Sequence, residues 1–281
     1  MSLYLSSYIA SSYIKNCLEK STENYQDTLE KLSSGSKFTS INQDVAKSSA
    51  AIKLEINMDS NSQTQENIKT GGELLATAEG YQENLLERLV RIRDLTVQIA
   101  NETYSSENKD AILKEIRENL EYINNFSDTA NFNGNNLLDG SSTSLTLLIG
   151  TSASDTLNIG SVLIDTHTDA SALDIDIDPL ITGETWTQAD IQAYLEKVDN
   201  AAKTITSNIA EIGAYQNRLD RASGTLGKMN IEMSEYKSNL SDTDMAEASS
   251  DLIKYQIIQE ASATMFTELI QIEKYVYYLL E

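Results

Sequence analysis

The sequence predicts a mainly helical protein: a long antiparallel coiled-coil bundle forming a rod, with a small β-hairpin excursion in the middle of the chain. Three observations carry this reading. Across residues 191–240 apolar side chains return at spacings of four and three without a slip, a seven-residue repeat that favours helices packed against other helices. Proline occurs only once, at Pro179, so almost no position forbids helix. The one stretch whose apolar residues alternate with polar ones lies between two helical halves, at about residues 141–183.

In chain order, Leu5, Ile9, Ile14, Leu18, Tyr25, Leu29 and Leu32 give a thin apolar stripe suited to helix pairing. Ser33, Ser34 and Gly35 then end that helix. A second pattern starts at Ile41 and Val45, crosses a polar span at residues 59–65, and reaches Gly71 and Gly72, which read as a local helix defect or bend. Leu74, Ala78, Tyr81, Leu85, Leu89, Ile92 and Ile99 continue it. Arg88, Arg91 and Arg93 project from the rest of that surface, where Glu87 and Asp94 are the nearby partners. Ser105 caps a third helix carrying Ile112, Ile116, Leu120 and Ile123.

Residues 131–140 abandon helical spacing, and their Asn-Gly and Asp-Gly pairs signal tight turns. Strands are expected at Leu145 to Ile149, at Leu157 and Ile159, and at Leu173, Ile175 and Ile177, as an excursion at one end of the rod. On the long helix that follows, one seam reads Ile191, Val198, Ile205, Ile212, Leu219, Leu226, Met233 and Leu240. The other reads Leu195, Ala202 and Ile209, then turns polar at Gln216, Ser223, Asn230 and Lys237, so its helical partners are expected to thin out there. Asp242 and Asp244 begin a last helix with the heptad Tyr255, Ile258, Ser262, Met265, Leu269, Ile272, Val276 and Leu279. Its obvious partner is the N-terminal helix. The expected division is residues 1–40 with 241–281 as a terminal coiled coil, and residues 41–240 as a helical-bundle domain that includes a β and loop excursion at 131–186.

With 21 basic against 43 acidic residues the net charge is −22, which argues against nucleic-acid binding and against anionic membrane surfaces. Packed copies would repel one another unless salt screens them. No apolar run is long enough for membrane insertion, and the N-terminus lacks the pattern of a cleaved signal; an intracellular protein, or one exported by another route, is expected. Cys17 has no internal partner and reads as a small packed hydrophobe.

Chemistry finds little footing. A single histidine, His167, reads as an exposed strand or loop residue. Asp174, Asp176 and Asp178 imitate the start of a calcium loop, but Pro179 stands where glycine is needed and Thr185 where the bidentate Glu should be. No catalytic group, metal site or cofactor site is therefore expected.

Several fragments resemble a known family. Leu32-Ser-Ser-Gly35, Thr77-Ala-Glu-Gly80, the run Leu89-Val-Arg-Ile-Arg-Asp-Leu95-Thr-Val-Gln-Ile-Ala-Asn101 and Phe132-Asn-Gly134-x-x-Leu-Leu138 resemble the N-terminal half of a bacterial flagellin. Ile212-Gly-Ala-Tyr-Gln-Asn-Arg218, Ser241-Asp-Thr-Asp244 and Gln259-Glu-Ala-Ser262 resemble its C-terminal half. The resemblance implies a short flagellin without large outer domains. It implies a subunit that assembles with itself into the flagellar filament for swimming motility, its termini pairing as an inner tube inside a helical shell. Export unfolded by the flagellar type III apparatus, secretion to the extracellular flagellum, an export chaperone on the C-terminal segment, and hook-associated junction and cap proteins as partners follow by the same resemblance. A hook-filament junction protein is the alternative of related architecture.

The polymerisation core would be Leu5, Ile9, Leu18, Leu29, Tyr255, Ile258, Met265, Leu269, Ile272, Val276 and Leu279. Arg91, Leu95 and Glu115 match positions that the vertebrate Toll-like receptor for flagellin contacts in recognised members. Ser141, Ser142, Thr143, Ser144, Thr151, Ser152 and Ser154 are candidates for O-glycosylation, with polar strand faces and loops as the plain alternative.

Overall fold

Short polar side chains start the helices. Ser105 accepts the amide of Asn108, Asp44 that of Lys47, and Asp244 those of Ala246 and Glu247, each satisfying donors that a helix start leaves free. The computed structural model describes residues 2–38, 44–101, 103–142, 145–152, 154–169, 171–176 and 187–280, with side chains undescribed at 2–8, 273 and 276–280. Its helices are α1 (Ser2–Ser34), α2 (Val45–Ile99), α3 (Ser106–Thr129), α4 (Gln188–Ser241) and α5 (Met245–Leu280). Two antiparallel strand pairs accompany them: β1 (Asn131–Phe132) with β2 (Asn135–Asn136), and β3 (Thr146–Leu148) with β4 (Thr156–Asn158). The fold is thus helical with small hairpins, as the heptads and the lack of proline require.

Two compact units form, Asp59–Asn230 and the pair Met1–Met58 with Ile231–Glu281. Their limits fall inside α2 and α4.

In the unit Asp59–Asn230, α2 runs antiparallel to both α3 and α4. Tyr122 donates to Asn84 while Arg91 pairs with Glu115; Arg93 pairs with Asp199 while Gln65 donates to the Ser223 carbonyl. The core joins Leu85, Leu89, Ile92, Leu95 and Ile99 to Ile116, Leu120 and Ile123 and to Val198, Ile205 and Ile212. The first α4 seam is buried from Ile191 to Leu226 as read. The second is not the one read. Tyr194, Ala201 and Asn208 are buried, whereas Leu195, Ala202 and Ile209 are only half-buried. Helical phase decides this, since a three-residue step from Ile191 reaches Tyr194 and a four-residue step reaches Leu195.

Nor do partners thin out after Ile209. Gln216 donates to Glu79, Gln65 to the Ser223 carbonyl, and Asn61 to Asn230 at 2.8 Å. The polar half of α4 meets the polar span of α2, where Asn61 and Thr64 are 0% and 3% exposed. Hydrogen bonds replace apolar packing along one continuous helix pair. Gly71 and Gly72 do not break α2, which stays helical through both. A Cβ on Gly71 would fall 2.4 Å from Leu147 Cδ2, so the glycine admits the β3 side chain.

Turn chemistry shapes the excursion. Asn133 and Gly134 take φ of +49° and +84°, the two-residue mirror-image turn that matches strand twist. Beyond it the chain does not sit at one end. It lies along the helices: Thr64 donates to the Gly150 carbonyl, Gln82 and Asn208 both donate to that of Val162, and Tyr194 donates to that of Ile175. From Thr64 to Gln82 alone, α2 rises about 27 Å. Leu173 and Ile175 are buried in alternation but form no strand. Their amides bond to the carbonyls of His167 and Thr168, and Asp174 takes φ +52°, so the segment folds on itself. Ile177 lies outside the described residues.

Candidate assembly surface

The two terminal helices set up this surface. Gly35, at φ +70°, closes α1 by donating to the Lys31 carbonyl, the left-handed cap that glycine adopts without strain. The two interhelical connections then pair: Lys37 donates to the Ser241 carbonyl, Thr243 to that of Gly35, and Ser36 bridges Asp242. From there α1 and α5 run antiparallel. The Ser21 hydroxyl donates to the Tyr255 carbonyl at 2.8 Å and Gln259 donates to the Thr22 hydroxyl at 3.1 Å.

The seam between them differs from the one read in the sequence. On α1 the covered positions are Ser11, Ile14, Leu18, Ser21, Tyr25, Thr28 and Leu32; on α5 they are Ala248, Leu252, Tyr255, Gln259, Ser262, Phe266 and Leu269. Ser21, Thr28 and Ser262 are the buried polar members. Short side chains at these points let the backbones approach, as the hydroxyl bond to the Tyr255 carbonyl requires. Leu18, Tyr255 and Leu269 are in the seam. Ile9, Leu29, Ile258, Met265 and Ile272 are not: they are exposed, Met265 at 56% and Ile272 at 53%. The side chains of Leu5, Val276 and Leu279 lie outside the described ones. Ile258, Met265 and Ile272 do form the predicted stripe at seven-residue spacing, but it lies exposed beside the seam with α1, and the exposed Ile253 and Ile257 lie beyond it. Helix α5 therefore keeps apolar side chains in water beyond those that its seam with α1 covers.

The other candidate residues fall elsewhere. Arg91 reaches Glu115 on α3 with Nη2 at 2.5 Å and Nε at 2.9 Å, and both side chains are about half exposed. Leu95 is 1% exposed and belongs to the core, so it offers no contact at the surface. None of the three arginines pairs as expected with Glu87 or Asp94: Arg93 bonds Asp199, and Arg88 covers the Tyr122 ring at 4.3 Å. Ser141, Thr151, Ser152 and Ser154 are exposed and Ser142 is half-buried, while Thr143 and Ser144 lie outside the described residues. Cys17 is half-buried. His167 sits in a loop but is not exposed as read; both ring nitrogens meet carboxylates. Tyr194 is buried, and that burial pushes its phenol above the ordinary tyrosine range. Asp174 pairs with Lys197, and Asp178, Pro179 and Thr185 lie outside the described residues. Among the described residues no cluster of three His, Cys, Asp or Glu side chains is arranged for a metal, and no helix is long and apolar enough to cross a membrane.

Residues 5–143 match the bacterial flagellin N-terminal helical region and residues 195–280 match the bacterial flagellin C-terminal helical region. The flagellar filament 30.7 kDa core protein of Treponema maltophilum is 26% identical over 92% of this chain and 93% of its own length. A flagellin of Halalkalibacterium halodurans is 28% identical over 86% of this chain and 87% of its own. A solved Vibrio parahaemolyticus chain described as flagellar hook-associated shares the fold alone, with a TM-score of 0.59 and 19% identity over 71% of this chain and 100% of that one. The two family regions leave out only the middle segment and the first few residues, the relatives span most of the chain, and the chain belongs to the bacterial flagellin family as a structural subunit of the flagellar filament.

Proposed function

We propose that this chain polymerises with copies of itself through the outward apolar stripe of α5 and the exposed Ile9, Tyr13 and Leu29 of α1. The observation that carries this is the exposed apolar stripe of α5, because a stripe left in water after its own helical partner is satisfied marks an interaction surface. The net charge of −22 opposes packing of copies, so apolar burial has to supply the driving force. Until assembly the same stripe needs cover. The export chaperone of the flagellar type III route fits that role, with the hook-associated junction and cap proteins as neighbours at the filament ends and an extracellular destination. Removing residues 255–281 is expected to leave a soluble monomer that neither polymerises nor binds the chaperone; normal filaments from that truncation, seen by electron microscopy, would sink the proposal.

Recognition of the monomer by the vertebrate receptor is proposed to rest on Arg91 and Glu115, with Leu95 acting only beneath them. An unchanged reporter response to the Arg91→Ala monomer would remove it.

A further inference from the structure

His167 is the only histidine in the chain, and its ring lies between two elements. Nδ1 is 2.6 Å from Asp165 Oδ1 in its own loop, and Nε2 is 3.1 Å from Asp128 Oδ1 in the last turn of α3. A neutral imidazole carries one N–H and so can donate to only one of these carboxylates; the imidazolium donates to both. Asp128 also lies where the helix dipole favours a nearby cation. The charged groups facing the ring are Asp128 from α3 and Asp165 and Asp169 from the loop, while Asp165 packs on Gly140 beside Asp139. Among the described residues no lysine or arginine pairs with Asp128, Asp165 or Asp169, so the imidazolium is their countercharge.

Around this pair the loop is stitched to α3 by uncharged bonds. The Ser127 and Thr166 hydroxyls meet at 2.6 Å, and Asn124 bonds both the amide and the hydroxyl of Thr168. The loop covers the core through Leu163, Leu173 and Ile175. We propose that His167 is a pH-sensitive clasp whose imidazolium ties this loop to the end of α3 and releases it when the ring loses its proton. Partial burial lowers the affinity of the ring for a proton, but the hydrogen bonds and attraction from Asp165 and Asp128 outweigh it, and the net shift is upward from 6.5. Since the folded value is raised, the stabilisation is fully present below about 6.5 and is lost as pH rises through the folded value.

The test is an NMR titration of the single imidazole in the full-length monomer, together with amide exchange at Thr166, Thr168 and Ile175, corrected for the intrinsic pH dependence. The expected ring midpoint is above 6.5, with the loop-opening equilibrium rising across it by about tenfold for each unit of upward shift. His167→Gln is expected to open the loop at all pH values and abolish that pH response. A midpoint at or below 6.5, protection that ignores the ring titration, or a pH response retained in His167→Gln would each overturn the clasp. If the variant does not fold, the two measurements on the unaltered chain still decide it.

Discussion

Ile212→Asp is expected to unfold the unit Asp59–Asn230. Ile212 is 0% exposed and belongs to the core shared by α2, α3 and α4. No basic partner pairs near it on α4: Arg218 and Arg221 are exposed. An ionised carboxylate there must either be buried without a partner or take up a proton, and the site also loses its apolar contacts. Losses of about 4 kcal/mol or more are expected, comparable with the whole stability of a domain at the lower end. Asn230→Ala is the informative comparison. It is not the near-silent change that a thinning seam would make it, because Asn61, at 0% exposure, donates to Asn230. Removing that acceptor is expected to cost about 1–2 kcal/mol. Thermal melts followed by circular dichroism separate the two, and an Ile212→Asp protein melting within a few degrees of the unaltered chain would defeat the core assignment.

Met265→Asp combined with Ile272→Asp is expected to abolish polymerisation while leaving the monomer folded. Both residues are more than half exposed and lie outside the seam that α5 makes with α1. Charges there meet water in the monomer, so the helix pair loses little. In a polymer the same charges would be placed in an apolar contact, in a chain whose copies already repel one another. Two buried carboxylates are expected to prevent association altogether. Phe266 and Leu269 serve as the contrast, since they are covered by α1, and charge at those positions is expected to separate the helix pair itself.

What could be read in the sequence follows the physics of each signal. Heptads place α4 and its first seam correctly because every member from Ile191 to Leu226 is apolar. The second seam was hidden by Tyr194 and Asn208, whose polar atoms bond to the Ile175 and Val162 carbonyls; a bonded polar group at a core position resembles a surface residue until its partner is known. The α1–α5 pair shows the same effect more strongly. Ser21 and Thr28 look like solvent positions by composition, yet they complete an unbroken alternation of three- and four-residue steps with Ile14, Leu18, Tyr25 and Leu32. Spacing held the answer there, and hydrophobicity concealed it.

Long-range pairings left no mark at all. The match of Asn61 with Asn230, of Gly71 with Leu147 and of His167 with Asp128 each joins residues far apart in the chain. Alternation at Leu173 and Ile175 misled for a related reason: alternating burial arises wherever an irregular segment lies across a core, with or without a neighbouring strand. The Asn133-Gly134 turn was legible because its signal is local and steric.

The central claim is that the apolar stripe of α5 left exposed beside its seam with α1 is the surface covered in the filament. Electron microscopy and sedimentation of the Met265→Asp, Ile272→Asp protein, alongside its circular dichroism, test it most directly. A monomer of unaltered helix content that forms no filaments is the predicted result, and filaments of normal length from that protein would contradict it.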